Sequence, residues 1–227
     1  MPLIDTGLID TGSIDTGLID MALLGQHPTF LSLDGTGAWS LTSVREMFAA
    51  NSIGTSVDQV NTGLLLLRLC FGLFLAYHGV NKIFGPNGLS GTAAWFSSIG
   101  FTWPSAQARI AALTEIGAGM LMALGLLTPI AAAGIIGIMI VAIVVAHWKV
   151  GFFVFHPGQG WEYCATIAVG ALAVGTIGPG EWSVDNVIDF APNGWTPLAL
   201  TLGIGVGAAI LQLLMFYRPV NQKSART

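Results

Sequence analysis

A continuous apolar stretch that carries three basic side chains constrains this chain more than any other feature. Residues 62–85 (TGLLLLRLCFGLFLAYHGVNKIFG) are long enough to cross a bilayer as one helix, since about 20 residues at roughly 1.5 Å each span the hydrocarbon. The stretch contains Arg68, His78 and Lys82. Arg or Lys at the middle of such a helix costs about 2.5–3.5 kcal/mol on insertion scales. We therefore expect these side chains to face protein, water or a ligand instead of lipid.

The composition excludes a soluble domain. Of the 227 residues, 53% are hydrophobic and only 9% are charged, whereas a soluble domain carries about 25% charged residues. The formal net charge is −4 and the sequence has no basic stripe, which excludes nucleic acid as a partner. There is no phosphate loop, dinucleotide fingerprint, CxxC pair or nucleophile elbow. These features predict an all-α integral membrane protein in a lipid bilayer, with bound lipid expected.

Five apolar spans are predicted after the N-terminal region. They lie at residues 62–84, 107–127, 130–148, 161–178 and 196–217. Thr128 and Pro129 separate the second span from the third, because proline lacks a backbone donor and restricts the residue before it. Glycines in spans two to five favour close helix packing in a membrane bundle. The segment GPGEWSVD at residues 178–185 is interpreted as a turn in which Ser183 or Asp185 caps a short helix.

The N-terminal 61 residues have a different character. Residues 3–22 read LIDTG LIDTG SIDTG LIDMA, with an aspartate at every fifth position. A period of five matches neither a helix nor a strand, so no single face becomes apolar. We predict an extended low-complexity arm with a short helix at residues 43–50, capped by Ser43 with Glu46 at the capping-box position. Such an arm cannot bury its own core, and we expect it to become ordered against partner subunits.

The distribution of basic residues predicts the orientation in the membrane. Most of them lie at the ends of spans one, three and five or at the start of span two, which is one side. The opposite side carries Arg45 and an acidic loop with Glu181, Asp185 and Asp189. Because Lys and Arg are enriched in cytoplasmic loops, the N-terminus is predicted outside and the C-terminus in the cytoplasm.

An ion pair between the first two spans is predicted. Glu115 lies near the middle of the second span, and Arg68 lies nearer the outer face of the first. If these two spans pack antiparallel, Arg68 is long enough to reach towards Glu115, and pairing lowers the burial cost of both charges. We interpret the pair as a structural contact that fixes the helix register.

A second polar cluster is predicted near the cytoplasmic side. His78 and Lys82 are four residues apart and share one helical face. His147 ends the third span and Glu162 begins the fourth, so both lie at similar depth, with His156 in the connection between them. Such a cluster could bind a quinone carbonyl or relay protons. It could also hold a metal, but the spacing is not HExxH and a lysine disfavours a cation, so no metal is predicted. Anchoring at the lipid headgroups is the remaining alternative.

Several separated motifs occur in a fixed order along residues 62–190. They are Arg68 followed by His78, Gly79 and Lys82; EIGAGM at 115–120; GLLTP at 125–129; Ala146 and His147; Glu162; and GPGEWSVD at 178–185. Together they resemble the DoxX family of small bacterial and archaeal membrane proteins. The resemblance implies a four-helix membrane bundle at 62–190 in a plasma membrane, to which this chain adds the arm at 1–61 and a fifth transmembrane helix with a cytoplasmic tail at 191–227. It also implies a quinone-proximal role, because the family is linked with quinol oxidase and thiosulfate:quinone oxidoreductase complexes.

Two functions from different classes are open at this point. The favoured one is a non-catalytic accessory subunit of a redox or energy-transducing membrane complex, docked to other subunits through residues 1–60 and the helix at 196–217. The alternative is a quinone-interacting oxidoreductase subunit in which His or Glu transfers protons. It would need a partner to supply electrons, because no residues are typical of a haem or flavin site. No covalently bound cofactor is predicted, and a transporter is disfavoured because no inverted repeat is visible.

Overall fold

The chain consists of two compact units, Met1–Thr55 and Ser56–Thr227. The computed structural model describes residues 29–33, 39–43 and 56–219. The predicted all-α membrane fold is confirmed in the second unit, whose described part is built from helices and their connections.

The described part of the first unit is a two-stranded antiparallel sheet. Strand β1 (Thr29–Leu33) pairs with strand β2 (Trp39–Ser43), with Leu31 opposite Leu41. Both strands contain Thr, Leu and an aromatic residue, and threonine and aromatic residues favour extended backbone. The predicted arm therefore contains a sheet, and Ser43, predicted to cap a helix, instead ends β2. The remainder of that predicted helix and the repeat at 3–22 lie outside the described residues.

The described part of the second unit contains seven α-helices. In chain order they are α1 (Val57–Phe84), α2 (Gly88–Ile99), α3 (Pro104–Leu124), α4 (Thr128–Ala142), α5 (Glu162–Ile177), α6 (Val184–Val187) and α7 (Thr196–Phe216). Helix α4 continues as a π-helical turn (Ile143–His147) and a 3-10 turn (Trp148–Val150). Proline occupies the first turn of α3, α4 and α7, where its missing N–H has no helical partner to lose. Ser183 caps α6 through the Asn186 amide, as predicted.

Three of the helical segments are long and apolar enough to cross a membrane by length and composition. They are Val57–Phe84, Thr128–Val150 and Thr196–Phe216. Helix α5 is apolar but has only 16 residues. Helix α3 has 21 residues but carries Gln107, Arg109 and Glu115, which lower its hydropathy. Of the five predicted spans, three therefore meet this criterion, and α3 and α5 pack against them as shorter or more polar members of the bundle.

Helices α1 and α3 pack with their backbones in direct contact. A Cβ atom added at Gly72 would lie 2.5 Å from the Gly119 carbonyl oxygen, and one added at Gly79 would lie 2.7 Å from the Ala112 carbonyl oxygen. Small residues permit this approach, which is a common way of joining membrane helices. The contacts also fix the antiparallel register, with Gly72 level with Gly119 and Gly79 level with Ala112.

Helix α4 lies at the centre of the bundle and packs against α3, α5 and α7. Its buried Ile135 and Met139 join the main apolar core with residues of α1, α3 and α5. Helix α7, predicted as a docking element, is also part of this unit. The Thr201 hydroxyl donates to the Pro129 carbonyl at 3.2 Å, and the Arg218 amide donates to the Gly100 carbonyl at 2.7 Å. One face of α7 therefore belongs to the bundle itself.

Helix α2 is absent from the predicted spans, which leave residues 85–106 as a connection. Typical sequence signals mark both of its ends: Pro86 precedes the helix, and Gly100 ends it with φ of 101°. Phe96 is buried and packs on Phe101, whose ring in turn lies 5.4 Å from that of Tyr217. Helix α2 thus covers one end of the bundle beside the end of α7.

Candidate functional site

An ion pair between α1 and α3 forms the centre of the candidate site. Lys82 Nζ lies 2.8 Å from Glu115 Oε1 and 2.6 Å from Oε2, so the ammonium group donates to both carboxylate oxygens. The side chain of Glu115 is 6% exposed and that of Lys82 is 24% exposed. Lys82 lies near the end of α1, and long helical side chains lean towards the N-terminus of their helix. This direction brings the ammonium back to the level of Glu115.

The predicted pair between Arg68 and Glu115 does not form, and the helix register explains why. Gly72 is level with Gly119, so Arg68, one turn earlier in α1, is level with the end of α3. An added Cβ at Gly125 would collide with the guanidinium of Arg68. Gly125 is ten residues beyond Glu115, which corresponds to about 15 Å along a helix. The structure therefore corrects this prediction by pairing Glu115 with Lys82.

Arg68 lies at the opposite end of the bundle and is fully buried. Its Nη2 donates to the Trp182 carbonyl at 2.6 Å, while Nε and Nη1 have no hydrogen-bond partner within residues 56–219. The nearby carboxylate of Asp185 supplies the opposite charge. Arg68 therefore ties α1 to the loop that follows α5.

Asp185 completes the N-terminus of α4 from a distant part of the chain. Its Oδ1 accepts from the Leu127 amide at 2.6 Å, and its Oδ2 accepts from the Thr128 amide at 2.9 Å and the Thr128 hydroxyl at 2.7 Å. The first amides of a helix have no intrahelical partner, and a carboxylate satisfies them well. Leu127 has φ of 47°, a strained value for a non-glycine residue, and these bonds hold it there.

Replacement of Asp185 by asparagine is expected to destabilise the bundle by about 2 kcal/mol or more, because hydrogen bonds to a buried charged acceptor are strong and the new amide group opposes a backbone donor. Asp189, which follows α6, is exposed, and we expect Asp189→Asn to change stability by less than about 0.5 kcal/mol. Denaturant unfolding of the purified protein in detergent measures both. Equal stabilities for the two variants would contradict this role of Asp185.

A cavity of about 770 Å³ opens between α1, α2, α3, α4, α5 and α7. Most of its wall is apolar, and alanine, isoleucine, valine and glycine residues of α4 and α7 form part of it. Side chains with nitrogen or oxygen atoms lie in the same wall: His78, Lys82, Trp95, Thr114, Glu115, His147, Gln159, Tyr163 and Gln212. Volumes of about 300–1,000 Å³ with apolar walls and few polar groups are typical of small-molecule sites. The ion pair therefore lies in the wall of a ligand-sized cavity.

His147 reaches the cavity from the π-helical turn that follows α4. Its Nδ1 lies 2.6 Å from the Gln159 carbonyl oxygen in the loop before α5. Gln159 also lines the cavity. Single π-helical turns occur often at functional sites, because the extra residue redirects the side chains that follow it. The turn and the loop together hold the imidazole at the cavity wall.

Three of the four residues of the predicted polar cluster line this cavity: His78, Lys82 and His147. The fourth, Glu162, is not part of the cavity wall. Its Oε2 accepts from the Val154 amide at 3.1 Å and so holds the loop between the third and fourth predicted spans. Glu115 takes the place of Glu162 as the carboxylate of the cluster, because the register of α1 and α3 brings it to Lys82.

Other cavity residues were not predicted from the sequence. Gln212 donates to Gln107 at 2.9 Å and joins α7 to α3 beside the cavity. Glutamines in apolar helices indicate interhelical hydrogen bonding, and this signal would have predicted the pair from the sequence. Trp95 lines the cavity from α2, a helix that was not predicted.

The polar groups of the cavity do not form a metal site. Within the described part of the chain, no group of three or more His, Cys, Asp or Glu residues is placed to hold a metal ion. Glu115 is already bound by Lys82, whose positive charge opposes a cation. The arrangement is suited to hydrogen bonding with a polar, uncharged group.

Comparison with known proteins finds a family model that matches part of the chain. The model of the DoxX family matches residues 63–148, which run from the second turn of α1 through α3 and α4 to the residue after the π-helical turn. No curated protein and no solved structure matches the chain significantly. The match includes Lys82, Glu115 and His147, three of the polar residues of the cavity. Residues 63–148 are therefore similar to the DoxX family.

Proposed function

We propose that the cavity binds a quinone-like amphiphile, in which a ring with oxygen substituents carries an apolar tail. The observation that supports this proposal is the cavity of about 770 Å³, whose apolar wall also contains an ion pair and two histidines. An acyl chain alone would make no use of these groups, and buried polar groups cost free energy unless they are paired. A ring with oxygen atoms gives them a hydrogen-bonding partner, and the apolar wall accommodates the tail.

The ion pair can bind an oxygen atom without losing its own contacts. An ammonium group has three N–H donors, and the two oxygens of Glu115 accept two of those of Lys82. The third donor is available to a carbonyl or hydroxyl oxygen of the ligand. Because the pair is neutral as a whole, it favours an uncharged ring over a fatty-acid carboxylate, which would bring a second negative charge beside Glu115.

In this proposal the chain is a subunit of a redox or energy-transducing membrane complex. It holds the quinone, and a partner protein supplies the electrons. The cavity favours this role over that of a purely accessory subunit, because docking alone requires no ligand-sized space with ionisable groups in its wall. Contacts with other subunits through residues 1–60 and through α7 are part of the same proposal. On α7, Leu211, Leu214 and Met215 are exposed and free to face lipid or such a subunit.

Filling the cavity tests the proposal. Ala208 lines the cavity from α7, whereas the adjacent Gly207 does not line it and has no atom within 4 Å of an added Cβ. We expect Ala208→Phe to weaken the binding of a short-tailed benzoquinone, and of the corresponding hydroquinone, at least about tenfold. The phenylalanine ring would occupy volume that the ligand needs. The Gly207→Phe variant should bind the same ligands with the affinity of the unmodified protein. Titration in detergent with intrinsic tryptophan fluorescence measures the affinity, since Trp95 lines the cavity.

Two results would overturn the proposal. One is the absence of saturable binding to the unmodified protein, and the other is equal affinity for the two variants. Organic extraction of protein purified from native membranes, followed by mass spectrometry, gives an independent readout. We expect a quinone in the extract and less of it from Ala208→Phe; acyl lipid as the sole extracted compound would favour a lipid-filled cavity.

A further inference from the structure

The hydrogen bond of His147 determines which ring nitrogen carries a proton. His147 Nδ1 lies 2.6 Å from the backbone oxygen of Gln159. A carbonyl oxygen can only accept, so Nδ1 must be the donor and must carry the hydrogen. In the neutral imidazole, Nε2 then has a free lone pair and acts as an acceptor. Within residues 56–219, Nε2 makes no hydrogen bond, and because His147 lines the cavity, the lone pair is available to an occupant.

The partner of His147 is itself held in place. Gln159 lies in the loop that joins the end of α4 to α5. The Trp161 amide donates to the Gly151 carbonyl at 3.0 Å, and the Gly160 amide donates to the Phe153 carbonyl at 3.0 Å. These bonds close the loop on itself, so the Gln159 carbonyl is presented to His147 from a fixed direction. Such a second partner fixes both the tautomer and the orientation of an imidazole.

The cavity therefore offers two different kinds of hydrogen-bonding group. Lys82 has a donor left over from its pair with Glu115, and His147 Nε2 is an acceptor. A quinone has only acceptor oxygens, and one of them would oppose the Nε2 lone pair. A hydroquinone has hydroxyl groups, one of which can donate to Nε2 while the other accepts from Lys82.

We infer that the cavity selects the reduced, hydroquinone form of its ligand, with His147 Nε2 accepting a hydrogen bond from a ring hydroxyl. This inference rests on the proposed function and adds the redox state of the ligand and the residue that recognises it. His147 is then a specificity-determining residue: its loss removes the preference for the hydroxyl and leaves the apolar contacts of the tail. A ligand that lacks the hydroxyl leaves His147 Nε2 without a hydrogen-bond donor. Sites built to bind a hydroxyl reject analogues without it for this reason.

The experiment compares three ligands with the same short tail: a benzohydroquinone, its dimethyl ether and the benzoquinone. Their affinities for the purified protein are measured anaerobically by tryptophan fluorescence. We expect the hydroquinone to bind about tenfold more tightly than either the dimethyl ether or the benzoquinone, the scale of one well-placed hydrogen bond. His147→Phe should abolish this preference, and His147→Asn, which keeps a carbonyl acceptor, should retain part of it. The matched control is His156→Phe, because His156 lies in the same loop but outside the cavity wall.

The outcomes separate this inference from the proposed function. Saturable binding of all three ligands with equal affinity, or an unchanged preference in a folded His147→Phe variant, overturns the inference and leaves the quinone site standing. Failure of every ring compound to bind overturns both. Nitrogen NMR of histidine-labelled protein gives a readout independent of ligand and of the variants: Nδ1 should be protonated and Nε2 unprotonated in neutral His147, and a proton on Nε2 alone would overturn the inference.

Discussion

Replacing Gly72 with leucine is expected to prevent the bundle from folding. A Cβ atom at this position would lie 2.5 Å from the Gly119 carbonyl oxygen and 2.6 Å from the Ala123 amide nitrogen. Both are backbone atoms, so no side-chain rotation can relieve the collision, and α1 and α3 would have to separate. Overpacking in a core costs about 1–3 kcal/mol even where side chains can yield. We therefore expect a loss well above that range, which takes up much of the about 5–15 kcal/mol by which native proteins are stable.

Two glycines on the same helices provide matched controls. Gly63 in α1 and Gly117 in α3 have no atom within 4 Å of an added Cβ, and leucine at either position should face lipid or solvent. We expect Gly63→Leu and Gly117→Leu to accumulate in membranes and to unfold at the same temperature as the unmodified protein. Gly72→Leu should yield little or no monodisperse protein after detergent extraction. If all three leucine variants behave alike, the close contact of α1 and α3 is not what holds the bundle together.

Removing one member of the ion pair is expected to have the next largest effect. Lys82→Met leaves the carboxylate of Glu115, which is 6% exposed, without a counter-charge. Breaking a buried pair in this way costs about 3–5 kcal/mol, whereas replacing both members by apolar residues is often nearly neutral. We expect Lys82→Met and Glu115→Met each to be strongly destabilising, and the double variant to recover most of the lost stability.

A double-mutant cycle measured by denaturant unfolding in detergent checks this expectation. Lys149→Met serves as the control, since Lys149 is exposed and makes no ion pair within the described residues; it should change stability by less than about 0.5 kcal/mol. Additive losses in the double variant would mean that Lys82 and Glu115 are not coupled. The double variant also separates folding from binding: it should fold, yet bind the benzoquinone and its reduced form more weakly.

The helices were largely predictable from the sequence because membrane spans are determined by local composition. The break at Thr128 and Pro129 is confirmed, since α3 ends at Leu124 and α4 begins at Thr128. Helix α2 was not predicted, because its mixture of Gly, Ser and Ala with a few aromatic residues gives no long apolar run. Its partial burial depends on Phe101 and Tyr217, which approach it only in the folded chain.

The partners of the buried charges were less predictable, because they depend on the register between helices. The sequence places Arg68 and Glu115 in adjacent spans, but it does not show that Gly72 and Gly119 are level with each other. That register decides that Lys82 reaches Glu115. In the same way, Glu162 begins α5 at the expected place, but its carboxylate accepts from the Val154 amide of the neighbouring loop.

The contact between Asp185 and the start of α4 has a consequence for how the family match is understood. The matched segment stops at residue 148, yet the corner between its second and third long helices is finished by a side chain 57 positions after Thr128. A fragment cut at the limits of the match would lack the Asp185 carboxylate, which accepts from three donors of Leu127 and Thr128. It would also lack the Trp182 carbonyl, which accepts from Arg68. The matched segment is therefore shorter than the folded unit to which it belongs, and the corner can reach its final form only after α5 and the loop behind it have been synthesised and inserted.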